Sequence, residues 1–260
     1  KEGRARDFLK AAQKSDDTVI TFFGGKTKEG KVATQSHTAS LAGNYKVLES
    51  ALRQHQIINP HSERELITCL KVYDVLAHRH NPFGDNVVTY GDVIIVSVSG
   101  GHGVLAADML KNYGLNAVKL TEKEKQDLKE LMNPVAREIA AFENPIDLTG
   151  SVLDKDIENF IRYLSDIDRI ECIILLLLPY PPNISFQIGR RIANIVISKN
   201  KPVVCFVPFV PKYEMIIQSL ELAYIPVFHS IKETVQAVSA LKHRTRIYNV
   251  KKDNLFWEER

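Results

Sequence analysis

From residue 92 onward, short apolar runs alternate with longer stretches whose apolar residues recur at helical spacing. The short runs fall at 93–98, 117–120, 172–178, 203–207 and 227–228. Residues 172–178 are apolar without interruption, as expected of a strand buried on both faces of a parallel sheet. The longer stretches fall at 104–113, 121–131, 155–165, 185–199, 213–223 and 230–241, and they predict helices. Gly114 follows the first of these as a C-terminal stop. Thr121 with Glu124 three residues on forms a capping box for the second. Strands alternating with helices predict a doubly wound parallel sheet. Ser99-Gly100-Gly101-His102-Gly103 reads as a tight glycine turn before the helix at 104–113. Residues 144–150 and 179–183 read as loops.

The chain before residue 92 is less regular. Phe8, Leu9, Ala11 and Ala12 give 6–14 a helical face, and the β-branched and aromatic run at 18–23 reads as a strand. Residues 24–31 form a glycine- and lysine-rich loop. The stretch Thr34-Gln35-Ser36-His37-Thr38-Ala39-Ser40-Leu41-Ala42-Gly43 places one histidine among small and hydroxylic residues, ahead of a helix at 41–54. Ile57-Ile58 is a short strand. Ser62 and Glu65 then open a helix that carries Leu66, Ile67, Leu70, Val72, Tyr73 and Leu76 and ends near Ala77. This amounts to roughly one and a half βα units, too little for an independent α/β domain. The predicted organisation is an incomplete domain at 1–78, a linker at 79–91, a complete domain at 92–245 and a tail at 246–260. The tail turns basic from Lys242 and then polar, and is expected to be mobile or to rest on a partner.

Composition narrows the function classes. The chain has 260 residues, 45% hydrophobic and 25% charged, ordinary for a soluble globular protein. A net charge of +3 without a basic block argues against nucleic-acid binding. The run at 172–178 is too short to cross a bilayer. Residues 1–17 are polar and charged, so no signal peptide is expected. Cys69, Cys172 and Cys205 make neither a metal pattern nor an even disulfide set. A cytoplasmic protein without disulfides is the expectation. His61, His78 and His80 have no acidic or cysteine partner at ligand spacing, so no metal site is expected.

Two features can carry chemistry. His37, between a predicted strand and a predicted helix, is a candidate nucleophile, because imidazole is largely unprotonated near neutral pH. A loop histidine that touches only water is the plain alternative. The second feature is the strand, glycine turn and helix at 93–109. Glycines allow close backbone approach, and a helix N-terminus offers unpaired N–H groups and a positive dipole end to a phosphate. A tight turn that merely packs the helix on its strand explains the same residues. Gly25-Lys26-Thr27 invites comparison with a phosphate-binding P-loop, but the first glycine of that motif would have to fall at Ile20. Glu2 and Asp147 are candidate acids to orient His37. A solvated terminal acid and a turn-capping acid are their alternatives.

Three stretches resemble one family. Ser36-His37-Thr38-Ala39-Ser40-Leu41-Ala42-Gly43 is similar to the Ser-His-Thr-Gly-Ala-Leu-Ala-Gly stretch of the nucleoside-diphosphate-forming acyl-CoA synthetases. These are the ADP-forming acetate–CoA ligases, relatives of succinyl-CoA synthetase. Gly100-Gly101-His102-Gly103-Val104-Leu105-Ala106-Ala107-Asp108 resembles their Gly-Gly-Pro-Gly-Val-Leu-Ala-Ala-Asp. Asn144-Pro145-Ile146-Asp147-Leu148-Thr149-Gly150 resembles their Asn-Pro-Val-Asp-Leu-Thr-Gly. Residues 225–228 and the helix after them fit the family's last unit.

The resemblance implies an α/β fold of two flavodoxin-like, succinyl-CoA synthetase-like doubly wound domains, the first N-terminally incomplete. It implies an acid–thiol ligase in which His37 carries a phosphoryl group, steadied by Glu2. Ser36 and Thr38 would support that histidine. Gly100, Gly101, His102, Gly103 and Val104 would hold phosphate at a helix opening at Gly103-Val104. No cofactor would be bound tightly; Mg-ATP or ADP (or GTP and GDP) and CoA would serve as substrates, with a small carboxylic acid or acyl-CoA. The family's CoA-binding Rossmann domain and ATP-grasp nucleotide-binding module do not precede or follow these motifs here, which suggests a fragment or split subunit needing both as partners. Ala39 and His102 depart from the family's glycine and proline. A regulatory or subunit-assembly module, such as those of protein lysine acetyltransferases, is the alternative.

Overall fold

A computed structural model describes residues 4–15, 17–38, 44–78, 81–83, 88–180 and 182–258, without the side chains at 37–38 and 246–258. The chain divides into two compact units, residues 1–67 with 246–260, and residues 68–245.

The first unit holds α1 (Arg4–Lys14), α2 (Lys28–Thr38), α3 (Tyr45–Gln54) and the start of α4 (Glu63–Ala77). Its core is Ala12, Leu52 and Ile57, with Leu9, Val19, Phe23 and Leu48 against them. The strand expected at 18–23 is reduced to one parallel bridge, Ile20 with Ile58. Thr21 N–H donates to the Ile58 carbonyl at 2.8 Å, and Ile58 N–H to the Val19 carbonyl at 3.0 Å. Two short extended segments pair here, so no longer ladder forms.

A helix also stands where a loop was expected. α2 opens under Thr27, whose hydroxyl accepts the Gly30 N–H at 3.1 Å. The Thr34 and Ser36 hydroxyls bond back to the Gly30 and Val32 carbonyls at 2.8 and 3.1 Å. Small hydroxylic residues suited to a loop are thus accommodated in a helix by turning their hydroxyls back onto carbonyls one turn earlier. α3 begins at Tyr45, capped by Asn44 (acceptor to Lys46 N–H, 3.0 Å), later than the expected start at 41; residues 39–43 lie outside the described residues. α4 opens as predicted on Ser62, which accepts the Glu65 N–H at 3.2 Å; the Glu65 carboxylate takes the N–H of His61 rather than that of Ser62.

The second unit is a parallel sheet. Its strands are β1 (Asp92–Ser97), β2 (Asn116–Ala117), β3 (Ile146–Asp147), β4 (Cys172–Leu176), β5 (Val203–Phe206) and β6 (Val227–Phe228). They lie in the order β2-β1-β4-β5-β6, with β3 paired to the end of β1. β4 and β5 are buried along their whole length, as their uninterrupted apolar sequence requires. The helices are α5 (Gly100–Leu110), α6 (Glu122–Leu131), the single turn α7 (Pro134–Arg137), α8 (Asp154–Ser165), α9 (Ile188–Lys199), α10 (Glu214–Glu221) and α11 (Ile231–Glu258), whose residues from 246 on belong to the first unit. The predicted capping box of α6 is present: Thr121 N–H donates to Glu124 Oε2 at 2.8 Å, and Glu124 N–H to Thr121 Oγ1 at 3.3 Å. α9 packs between α8 and α10, and Gly189 permits the approach, since a Cβ there would lie 2.7 Å from the Ile216 carbonyl oxygen.

Three expectations are corrected in this unit. The glycine turn at 99–103 is the first turn of α5. The loop at 144–150 contains β3, held in register with Val96 and Ser97 of β1. The tail expected from Lys242 is the continuation of α11 to Glu258, fastened by Lys242 Nζ donating to the Tyr90 and Gly114 carbonyls at 2.6 Å each. Cys69, Cys172 and Cys205 are all buried. Burial alone pushes the Cys205 thiol up to about 12, so it stays protonated. No helix among the described residues is long and apolar enough to cross a membrane.

Candidate functional site

The sheet order reverses between β1 and β4, and in open α/β sheets ligands bind beyond the carboxyl ends of the strands at such a point. At that edge β1 runs directly into α5. One hydroxyl closes the turn: Ser97 Oγ donates to the Ser99 carbonyl at 2.7 Å and accepts the Ser99 N–H at 3.1 Å. Ser99 occupies the N-cap position in an extended conformation, yet its side chain makes no cap bond. Its hydroxyl meets His102 Nδ1 at 2.9 Å instead. The same imidazole lies against Phe206 at the end of β5, with ring centroids 5.5 Å apart.

The consequence is an uncapped helix end. Gly103 N–H donates to the Ser99 carbonyl at 3.1 Å, so it is the first amide of α5 used inside the helix. The N–H groups of Gly100, Gly101 and His102 precede it and have no intrahelical acceptor. Together with the helix dipole they present a positive, donor-rich end to solvent. Gly103, expected among the phosphate donors, serves packing instead. A Cβ there would lie 3.1 Å from Pro145 Cβ, so glycine lets α5 settle against the 144–147 segment. The Val104 amide lies within the helix, and its side chain is exposed.

That segment is tied to β1 through Asn144. The Asn144 amide stands in for missing strand pairing. It accepts from Ile95 N–H at 3.0 Å and donates to the Val93 and Val118 carbonyls at 2.9 and 3.0 Å. It thereby spans the gap between β2, which pairs with Asp92 and Val93, and β3, which pairs with Val96 and Ser97. Asp147 ends β3. Its Oδ1 accepts the Thr149 N–H at 3.0 Å, and Thr149 sits in the left-handed region at φ 65°. This is the turn-capping role weighed for Asp147 in the sequence. Its Oδ2 lies 2.5 Å from where a Cβ on Gly100 would be. Because Cα–Cβ bonds in a helix lean toward its N-terminus, this places the carboxylate beside the mouth of α5. Sequence reasoning found the glycines, His102 and Asp147 but missed Ser97, Ser99 and Phe206. The Ser-x-Ser pair at a strand end was an available signal; Phe206 had none.

Beyond β4 and β5 the rim is aromatic. Tyr180 and Phe209 are exposed, and Lys212 Nζ stands 5.8 Å from the Tyr180 ring centroid and 5.7 Å from that of Tyr213. Burial raises the Tyr213 phenol above its ordinary value.

In the first unit the backbone of His37 lies in the last turn of α2; its side chain, and all of Glu2, lie outside the described residues. Of the two residues expected to support it, Ser36 spends its hydroxyl on the Val32 carbonyl, and the Thr38 side chain is not described. Lys26, rejected as a P-loop lysine, donates to the Pro60 and His61 carbonyls at 3.3 and 3.1 Å. Among the described residues no group of three or more acidic, histidine or cysteine side chains could hold a metal ion.

Comparisons with known proteins agree with this architecture. Residues 1–73 match the family model described as a succinyl-CoA ligase like flavodoxin domain. The chain is 28% identical over 231 residues to ADP-forming acetate–CoA ligase I of Archaeoglobus fulgidus, covering 88% of this chain and 30% of that protein. It is 28% identical over 255 residues to the alpha subunit of ADP-forming acetate–CoA ligase I of Pyrococcus furiosus, covering 93% of this chain and 50% of that subunit. The chain thus spans half or less of the length of these relatives. Among solved structures, a dinucleotide-forming acetyl-coenzyme A synthetase 1 of Ca. Korarchaeum cryptofilum, in complex with phosphate and ADP, superimposes with a TM-score of 0.83 at 22% identity. That likeness covers 98% of this chain and 53% of the other. The fold is a flavodoxin-like α/β arrangement with a parallel sheet, shared with that solved structure. In sequence the chain is similar to ADP-forming acetate–CoA ligases over most of its length, and residues 1–73 are similar to the succinyl-CoA ligase like flavodoxin domain.

Proposed function

We propose that this chain is the phosphoryl-carrying part of a nucleoside-diphosphate-forming acyl-CoA synthetase. The assembled enzyme interconverts acyl-CoA, ADP or GDP and phosphate with carboxylic acid, CoA and ATP or GTP. The observation that carries this reading is the glycine-opened end of α5 at the switch point of the sheet, where the Ser99 side chain makes no cap bond and Gly103 is the first amide bonded within the helix.

In this reading phosphate displaces CoA from the acyl group to give an acyl phosphate. A ring nitrogen of His37 then attacks phosphorus, the carboxylate leaves, and the phosphohistidine passes its phosphoryl group to the nucleoside diphosphate. The amides of Gly100, Gly101 and His102 hold the phosphoryl oxygens while charge builds on them, and as fixed dipoles they need little reorganisation. Glu2 steadies the histidine. Residues 1–78 are the C-terminal half of the histidine-bearing domain, and 92–245 the phosphate-holding domain. The reaction also draws on an ATP-grasp nucleotide-binding module and a CoA-binding Rossmann domain, in the same polypeptide or on other subunits. The test is reconstitution: His37→Ala, folded and assembled with those modules, abolishes acyl-CoA-dependent ATP formation. Full activity of the assembled variant overturns the proposal.

A further inference from the structure

Lys26 stands at the root of the segment that carries His37. Its Nζ donates to the Pro60 and His61 carbonyls at 3.3 and 3.1 Å. The same ammonium lies over the Phe22 and Tyr45 rings, 5.3 and 5.4 Å from their centroids. Tyr45 opens α3, and its hydroxyl accepts Asn59 Nδ2 at 2.9 Å. The chain therefore leaves Lys26, runs out through α2 and returns to Tyr45 beside the same ammonium. Both ends of this excursion rest on three consecutive residues, Asn59, Pro60 and His61.

α2 is seated directly on its root. Thr27 opens the helix by accepting the Gly30 N–H at 3.1 Å. Gly25, at φ 75°, lies so near the helix that a Cβ on it would stand 2.9 Å from Thr34 Oγ1, and a Cβ on Gly30 would stand 3.2 Å from the Gly25 Cα. The direction of α2 is thus set by the residues on either side of Lys26. The His37 backbone lies about 14 Å along the helix from Lys28, at roughly 1.5 Å per residue. Over that length a tilt of about 10° at the root displaces it by about 2 Å. Misplacing a reacting group by about 1 Å can slow a reaction about a hundredfold.

We infer that Lys26 is a positioning residue for phosphoryl transfer to His37. Its two carbonyl bonds and two ring contacts fix the root of α2 and hence the place of the histidine. This rests on the proposed phosphoryl-carrying role of His37.

The test measures label reaching His37 from Mg-ATP in a single turnover at saturating concentrations of the proposed ATP-grasp partner, so that the rate reports transfer and not docking. Lys26→Met keeps the stem over the rings and removes the donors, whereas Lys26→Arg keeps both charge and donors. Lys26→Met should slow labelling at least about tenfold, and Lys26→Arg should return it to within about threefold of wild type. Leu52→Val trims the core of the same unit without touching the clamp and should stay within about threefold of wild type. A wild-type rate in Lys26→Met, or equal slowing in Leu52→Val, overturns the inference and leaves the His37 reading standing. No label on wild type, with the partner shown to bind both ATP and this chain, overturns both.

Discussion

Asn144 offers a severe test of how the site is held. Its side chain replaces backbone pairing at three points along β1 and β2, at 2.9 to 3.0 Å, next to a fully buried Ile95. Asn144→Ala leaves the Ile95 N–H and the Val118 carbonyl without these partners; the Val93 carbonyl keeps the Val118 N–H at 2.9 Å. Three bonds of about 1 kcal/mol each, with about 1 kcal/mol more for a buried N–H left bare, give a loss of roughly 3–4 kcal/mol. Over a chain of this size that lowers the melting temperature by about 6–16 °C. Urea unfolding measures the loss, with an unchanged slope showing that the denatured state is unaffected. Asn144→Asp keeps the acceptor for Ile95 but turns a carboxylate toward two carbonyl oxygens, so it should be at least as damaging as alanine. A loss below about 1 kcal/mol for either variant, the size of a single hydrogen bond, refutes the bridging role.

Three further outcomes follow from the same structure. Gly189→Ala sets a Cβ 2.7 Å from the Ile216 carbonyl oxygen and 3.1 Å from Ser219 Cβ, so it should destabilise by about 1–3 kcal/mol in urea unfolding. The Glu171 carboxylate accepts the N–H groups of Thr89, Tyr90, Gly91 and Asp92 at 2.7 to 3.1 Å; Glu171→Ala should speed hydrogen exchange at all four while β5 and β6 stay protected. The Arg169 guanidinium holds the Glu124 carboxyl down at about 2 against its ordinary 4.5. A depressed carboxyl contributes its stability above the ordinary value and loses it as pH falls toward 2. Glu124→Gln should therefore cost about 1 kcal/mol at pH 7, discounted for the half-exposed arginine, and the difference should close by pH 2 in acid titrations of stability.

What could be read in advance divides along physical lines. β1, β4, β5 and β6 were legible because each is an apolar run bounded by polar or turn residues, and burial in a parallel sheet leaves little else for such runs to do. α6 was legible from its capping box. α2 was not, because glycine, lysine and hydroxylic residues together read as a loop. Only the bonds from Thr27, Thr34 and Ser36, seen in three dimensions, show how the helix is satisfied. The start of α5 was misplaced for a related reason: three glycines in four residues argue for a turn, yet packing against Pro145 and Asp147 requires glycine within the helix. β3 is two residues long and exists because β1 offers an edge at Val96 and Ser97. Of the site, the glycine-opened helix and the turn role of Asp147 were visible in residue types. The clasp of Ser97, Ser99, His102 and Phe206 joins the ends of β1 and β5, more than a hundred residues apart in sequence, and needed the fold.

The central claim is that His37 carries phosphate. The most direct measurement incubates the full chain with the proposed ATP-grasp partner and Mg-ATP labelled on the terminal phosphate, then maps acid-labile, alkali-stable label by peptide. The account predicts label on the peptide bearing His37 and none in His37→Ala. Absence of label, with the partner shown to bind both ATP and this chain, or label that persists in His37→Ala, contradicts it.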